Sequence, residues 1–413
     1  MTTTSEVSAY DRMVWPEGEV ERWLVSGEHR RELLAYFGEA EYFMLRRLAI
    51  AAAAVPADPE RCVLFVPGLM GSLLAQPRDR PQPDNLLWLD PNDIQQGHLS
   101  LLTMPGAQLV ASGPVLYGYL PLKLVLQAAG YTVRCFAYDW RRDLADSGLV
   151  LSRVIAATRA REISVVAHSM GGLVARYALT TEAGQRVQRL ITLGTPHGGS
   201  FAPVQAVRGV YPLVRRLAQI DPHHLPEVLA RDVFSSFHSL YQMLPLDSAL
   251  DLINSRSWPR IGPQPNATLL DRVPMLRLGG PDARINALAG YGFQTPVHIA
   301  CVEEDFYYRY ESAGDGTVPT ARAVLPGCEA WFCNVPHGEL ARSPLVHEAV
   351  LKLLADEAPQ LPGAPPPALD PPTSASDTEL RQVLNEKIDW TRLDSTQRRA
   401  FLDSLNRPPP AGR

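Results

Sequence analysis

The sequence predicts an α/β fold: a mostly parallel central sheet, helices on both faces, and one helical insertion. Three observations carry this. Apolar strand-like runs alternate with helical periods from residue 62 to 199, the pattern lapses over 200–292, and it returns before residue 355. With 413 residues, 46% of them hydrophobic, the chain can bury a large core, and its length allows two or three structural units.

The elements follow in order. Residues 18–54 carry Trp23, Leu24, Leu33, Leu34, Phe37 and Leu45 at helical spacing among polar residues, which predicts two helices within an extension over 1–57. Residues 62–66 form a continuous apolar run stopped by Pro67-Gly68, a central strand ending in a loop. Residues 120–129 read as a helix, with Pro121 in its first turn and Gly130 at its end; 132–138 supplies the next strand. A helix over 149–161 leads into a strand over 162–167, a helix over 173–179 follows, and a strand over 187–193 stops at Gly194. These belong to the first part of the core, 58–199. Core alternation resumes over 293–355, with strands at 297–302 and 330–335 and a closing helix at 345–354.

Between the two core parts, 200–292 holds Phe234, Phe237, Leu240, Tyr241, Met243 and Leu244. A structureless loop of that length is improbable in a compact domain, so a largely helical cap or lid is expected, with a plain structural insert as the alternative. Residues 356–376 hold prolines at 359, 362, 365, 366, 367, 371 and 372 and predict an extended linker. Residues 377–413 regain helical pattern through Leu380, Val383, Leu384, Ile388, Phe401, Leu402 and Leu405, with Asp377 placed to cap the first helix and Trp390 large for a free surface. This tail either folds back on the body or binds another protein.

Composition excludes some classes. A net charge of −5 with no basic stripe argues against nucleic acid and against strong adsorption to an anionic membrane. Five cysteines are odd in number and widely spaced; Cys62, Cys135 and Cys301 fall in strand-like runs as small buried thiols, and Cys328 and Cys333 lack metal-site spacing. No metal and no organic cofactor is expected. The opening residues show no basic region leading into an apolar stretch, and residues 48–55 are too short to cross a bilayer. A cytoplasmic location is expected, peripheral at a membrane at most.

The chemistry enters at Val165-Val166-Ala167-His168-Ser169-Met170-Gly171-Gly172, a hydrophobic strand running into a serine between small residues. A serine at the tip of a tight strand-to-helix turn needs small neighbours two residues either side, because larger side chains would collide with adjoining backbone. Here they are Ala167 and Gly171. Acyl transfer through serine also needs a base, an orienting acid and oxyanion donors. The acid and base should follow the serine in the chain. Asp315, in Gly314-Asp315-Gly316-Thr317-Val318-Pro319, and His337, after the strand at 330–335, stand in loops at the expected sheet edge. Glu303, Glu304 and Asp305 are local competitors for the acid. His168 should be pointed elsewhere by the elbow, and His197, between Pro196 and Gly198, is a structural or pocket residue. The backbone N–H groups of Met170 and Leu69 are the expected oxyanion donors, with Gly68 and Gly71 allowing close approach and Met70 tuning the pocket.

Taken together, the chain resembles the lecithin:cholesterol acyltransferase family of lipase-type α/β-hydrolases, which includes phospholipid:diacylglycerol acyltransferases. The matching blocks are 63–72, Leu87-Trp88-Leu89-Asp90, Tyr138-Asp139-Trp140-Arg141, His168-Ser169-Met170-Gly171-Gly172, 193–200 and 314–319, with His337 completing the order and 239–245 similar to a lid segment. The resemblance covers about residues 60–355 and implies an α/β-hydrolase fold. By carry-over, Ser169 is the nucleophile, Asp315 the acid and His337 the base, with Leu69 and Met170 at the oxyanion. It also implies that Asp139 and Trp140 border the pocket and meet the lid, and that Trp88 approaches the lipid surface. Ala167 in place of the usual glycine, the missing secretion signal and the cysteine placement depart from the animal enzymes and point to a bacterial relative. The implied activity is serine-dependent hydrolysis or transfer of an acyl group from a lipid ester, phospholipid-like, with transient membrane contact. Two alternatives remain: an esterase or thioesterase acting on a soluble acyl conjugate, and a lipase effector controlled by a protein partner through the N- or C-terminal helices.

Overall fold

The computed structural model describes residues 15–78, 84–368, 370–383 and 386–405. Residues 1–14, read above for a leader, and Leu384, counted in the C-terminal pattern, lie outside them. Its strands in chain order are β1 Asp58–Val66, β2 Ser72–Gln76, β3 Asn85–Trp88, β4 Val110–Pro114, β5 Tyr131–Cys135, β6 Glu162–His168, β7 Val187–Leu193, β8 Ile285–Gly290, β9 Phe293–Val302, β10 Asp305–Gly314, β11 Glu329–Cys333 and β12 Thr373–Ser376. The central sheet runs β11-β8-β7-β6-β1-β5, and every pairing in it is parallel. Parallel strands covered on both faces should be apolar throughout, and Val63, Leu64, Phe65 and Val66 of β1 are all buried. One face packs on the helices Leu144–Ala157 and Met170–Leu179 through Leu151, Ile155, Leu173 and Val174; the other packs on Leu116–Ala128 and Pro344–Leu354 through Leu122, Leu126, Val346 and Val350.

The return to the core differs from the expected pattern. The strand next to β7 is β8, which falls inside the segment assigned to the insertion. The expected strand at 297–302 belongs instead to β9, which pairs antiparallel with β10 in a separate three-stranded sheet. Glu303 and Glu304, at φ 50° and 59°, turn the chain between Val302 and Asp305 in the left-handed geometry of a two-residue hairpin. A sheet with one face to solvent leaves Cys301 exposed, contrary to its expected burial.

Among the described residues, three helices, not two, precede β1: Glu17–Ser26, Arg30–Phe37 and Glu39–Ala53. Gly27 and Gly38, at φ 85° and 80°, end the first two, where a side chain would be strained. Val20, Leu24, Leu33, Phe37, Tyr42 and Leu45 pack against Leu116, Tyr117, Leu120 and Leu124. The segment between the core parts contains the helices Ala202–Val207, Pro212–Ile220, Pro226–Asp232, His238–Tyr241 and Ala267–Arg272. Leu229, Val233, Phe234, Phe237, Leu240 and Met243 are continuous with the apolar core above the sheet.

The proline-rich stretch does not stay an unpaired linker to its end. Beyond Pro372 the N–H groups are free to pair, and Thr373–Ser376 joins β10 antiparallel, Tyr310 opposite Thr373 and Tyr307 opposite Ser376. Ser376, not Asp377, caps the following helical turn: its hydroxyl accepts from the Glu379 N–H at 3.2 Å, and Glu379 returns the bond. Asp377 is buried in an ion pair with Arg208 at 2.6 Å. The tail then anchors twice more. Lys387 Nζ donates to the carbonyls of Ala218, Asp221 and His224 at 2.6–2.7 Å, and Trp390 is fully buried against Phe401. Among the described residues, no helix is long and apolar enough to cross a membrane.

Candidate active site

At the C-terminal edge of the parallel sheet, β6 ends at His168 and the helix Met170–Leu179 begins one residue later, with Ser169 between them at φ 53°, ψ −130°. That strained tip requires small neighbours. A Cβ on Gly171 would lie 2.4 Å from the Pro67 carbonyl oxygen, and one on Gly172 would lie 2.0 Å from Thr195 Oγ1. Ala167 is accommodated without exposure, so the first small position admits a methyl group.

Ser169 Oγ lies 2.8 Å from His337 Nε2, and His337 Nδ1 lies 2.7 Å from Asp315 Oδ2. Asp315 follows β10, and His337 opens a helical turn beyond β11. The other carboxylate oxygen of Asp315 accepts N–H bonds from Thr317 at 3.0 Å and Val318 at 2.7 Å, while the backbone N–H of His337 donates to the Asp315 carbonyl at 2.9 Å. Three residues from distant parts of the chain thus meet in one hydrogen-bonded line, with the acid 1% exposed. Glu303 and Glu304 sit in the β9–β10 turn, at the other end of β10 from Asp315.

The line opens on a cavity of about 200 Å³. Leu69, Met70 and Trp88 form part of its wall. Trp88 also donates from Nε1 to the Met70 carbonyl at 2.8 Å, so it steadies the loop between β1 and β2. Met170 starts the helix directly after Ser169, where backbone N–H groups lack intrahelical partners. Phe234, Leu240 and Met243 of the insertion supply apolar wall, and Leu380 and Leu405 of the tail contribute too. Sequence reasoning missed Gln205 and Tyr310, paired at 2.6 Å, and Tyr119; none stands in a motif, and only the tertiary fold brings them to the cavity.

Three expected pocket residues are not in the cavity wall. Asp139 spends both carboxylate oxygens on Arg141, at 2.8 Å each. Trp140 is fully buried; its Nε1 donates to the Ser72 carbonyl, and its ring meets Trp88 and Phe237 edge-on. This block supports the wall from behind. His197 lies between Thr192 Oγ1 at 3.2 Å and Arg176 Nη1 at 3.4 Å. Since a guanidinium only donates, His197 Nδ1 accepts and Nε2 carries the proton.

Burial lowers both His168 and His197 to about 3, the neighbouring His337 adding to the first and Arg176 to the second. An unfolded chain takes up these protons as pH falls below about 6.5, whereas the folded one does so only near 3. Their contribution to stability is therefore complete above that upper value and shrinks as pH falls through the window. Denaturant titrations between pH 7.5 and 4.5 should show this decline, and His197→Gln should flatten it. An unchanged slope in that variant would remove His197 as a source.

The parallel sheet and the strand–Ser169–helix turn at its C-terminal edge define an α/β-hydrolase fold. Within that class, residues 124–262 match the family model described as lecithin:cholesterol acyltransferase, in agreement with the motif resemblance. Triacylglycerol lipases of Pseudarthrobacter phenanthrenivorans and Burkholderia plantarii are each 44% identical over 50 residues, which is 12% of this chain and only 15% and 14% of theirs. Among solved structures, the mature Bacillus licheniformis lipase BlEst2 is 18% identical, with 72% of this chain and 94% of that one covered and a TM-score of 0.36. The Tle4–Tli4 complex is 14% identical, with 70% and 96% covered and a TM-score of 0.40.

Proposed function

We propose that this protein is a serine acyl hydrolase or acyltransferase acting on a lipid ester through an acyl-enzyme on Ser169. The observation that carries the reading is the continuous Ser169–His337–Asp315 hydrogen-bonded line opening on an apolar cavity. His337 Nε2 takes the Ser169 proton as Oγ attacks the ester carbonyl, and the Asp315 carboxylate holds the ring in the tautomer that leaves Nε2 free. The backbone N–H groups of Leu69 and Met170 stabilise the oxyanion. The protonated imidazole then gives its proton to the departing alcohol. Water or a second alcohol attacks the acyl-enzyme, again deprotonated by His337.

The family match over 124–262 and the short stretch shared with triacylglycerol lipases support a lipid ester. The aliphatic and aromatic wall supports a long acyl chain. Mixed phospholipid and neutral glyceride substrates, incubated with and without a long-chain alcohol and resolved by mass spectrometry, separate the outcomes. Released fatty acid alone is expected of a hydrolase and acyl-alcohol of a transferase; lysophospholipid identifies phospholipid as the donor. Absence of any acyl product would overturn the reading.

A further inference from the structure

His168, next to the nucleophile in the chain, takes no direct part in the Ser169–His337–Asp315 line. Its Nε2 lies 3.0 Å from the His337 carbonyl oxygen, and its Nδ1 lies 3.1 Å from the Tyr119 hydroxyl. Tyr119 Oη in turn accepts the Gly68 N–H at 3.1 Å. Tyr119 comes from the helix Leu116–Ala128 and Gly68 from the loop carrying Leu69, so the three bonds tie that loop to the main chain of the base.

We propose that Tyr119 and His168 form a proton-ordered relay that keeps the Leu69 loop in register with His337, and that both are positioning residues for acyl transfer at Ser169. The proposal rests on the reading of Ser169 as nucleophile.

Both ends of the relay fix its direction. A carbonyl only accepts, so His168 Nε2 carries the proton; an amide N–H only donates, so Tyr119 Oη accepts from Gly68. Burial keeps the His168 ring neutral, which leaves Nδ1 bare and makes it the acceptor of the Tyr119 hydroxyl proton. Each hydrogen therefore has one place.

The surroundings leave little slack. A Cβ on Gly68 would lie 2.9 Å from Ser169 Cβ and 3.2 Å from His168 Nδ1, and one on Gly71 would lie 2.5 Å from Tyr119 Oη. The peptide joining Pro67 and Gly68 is held at both polar atoms, because Tyr138 donates to the Pro67 carbonyl at 2.9 Å. The main chain of His337 is likewise held at both, its N–H by Asp315 and its carbonyl by His168. Oxyanion donors and general base must be correct at the same instant, and small displacements of either are costly. The relay sets the distance between them.

The test uses the full chain, a p-nitrophenyl ester and a fluorophosphonate probe, with Tyr119→Phe, His168→Gln and the double variant. Tyr119→Phe adds no volume and keeps the ring against Phe65, while His168→Gln retains a donor for the His337 carbonyl. Each single change should lower kcat by roughly 10–100-fold, leave KM within about twofold, and slow fluorophosphonate labelling in parallel. The double variant should lose no more than the worse single, since one relay is broken either way. Unchanged kcat in Tyr119→Phe, a loss carried by KM, or losses that multiply in the double variant would overturn the proposal. A readout free of any folding defect comes from proton–nitrogen NMR of the histidine-labelled wild-type protein: His168 should appear as the Nε2–H tautomer, and an Nδ1–H tautomer overturns the relay. A wild-type protein that takes up no fluorophosphonate would instead sink the reading of Ser169, while the tautomer still decides the relay.

Discussion

Replacing Ser169 by alanine is expected to lower ester turnover by about 10⁵-fold or more and to abolish the fluorophosphonate adduct. The change removes one oxygen from a residue that is 9% exposed, and alanine meets the same backbone strain at φ 53° as serine does. Folding should therefore be retained, with circular dichroism and thermal midpoint close to those of the parent. A retained adduct, mapped by mass spectrometry to another serine, would move the nucleophile elsewhere. Asp315→Asn gives a graded companion. Two backbone N–H groups, from Thr317 and Val318, point at one carboxylate oxygen. They would hold the amide oxygen there and turn the amide nitrogen towards His337 Nδ1. The ring would then carry its proton on Nε2, facing Ser169, and could not accept another. A loss of about 10⁴-fold is expected, with substrate affinity little changed.

The largest expected effect on stability lies far from this chemistry. Asp377→Ala should cost about 3–5 kcal/mol in denaturant unfolding, because it strands a buried guanidinium. Arg208 and Asp377 are both fully buried, and Tyr308 donates a second bond to the carboxylate at 2.8 Å. Arg208 also donates to the Pro263 carbonyl at 2.6 Å and the Ile261 carbonyl at 2.5 Å, so its loss of charge partner would spread into the insertion. A paired replacement, Arg208→Met with Asp377→Leu, should recover most of the loss, since neither charge remains to be desolvated. Equal destabilisation in the single and paired variants would show that packing, not charge, holds this point.

The parallel layers and the elbow were legible because their signals are local: apolar runs of strand length, helical spacing, and small residues about a serine. Asp315 and His337 could be singled out because each stands after Ser169 in the chain and just past a strand, and the fold does bring all three into hydrogen-bonding contact. What escaped had no local signal. The strand Ile285–Gly290 is a short apolar run inside a segment that otherwise lacks alternation, while the longer run after it pairs outside the central sheet. Asp139, Trp140 and His197 fall within matching motifs, yet their polar atoms are taken by Arg141, Ser72, Thr192 and Arg176, which no spacing reveals. Tyr119 and Gln205 reach the cavity only through tertiary packing.

Leu405, at the far end of the tail, forms part of the same wall as Leu69 near the other end of the core. Ending the chain before Leu380 would therefore thin the apolar wall of the cavity while leaving Ser169, His337 and Asp315 themselves in place.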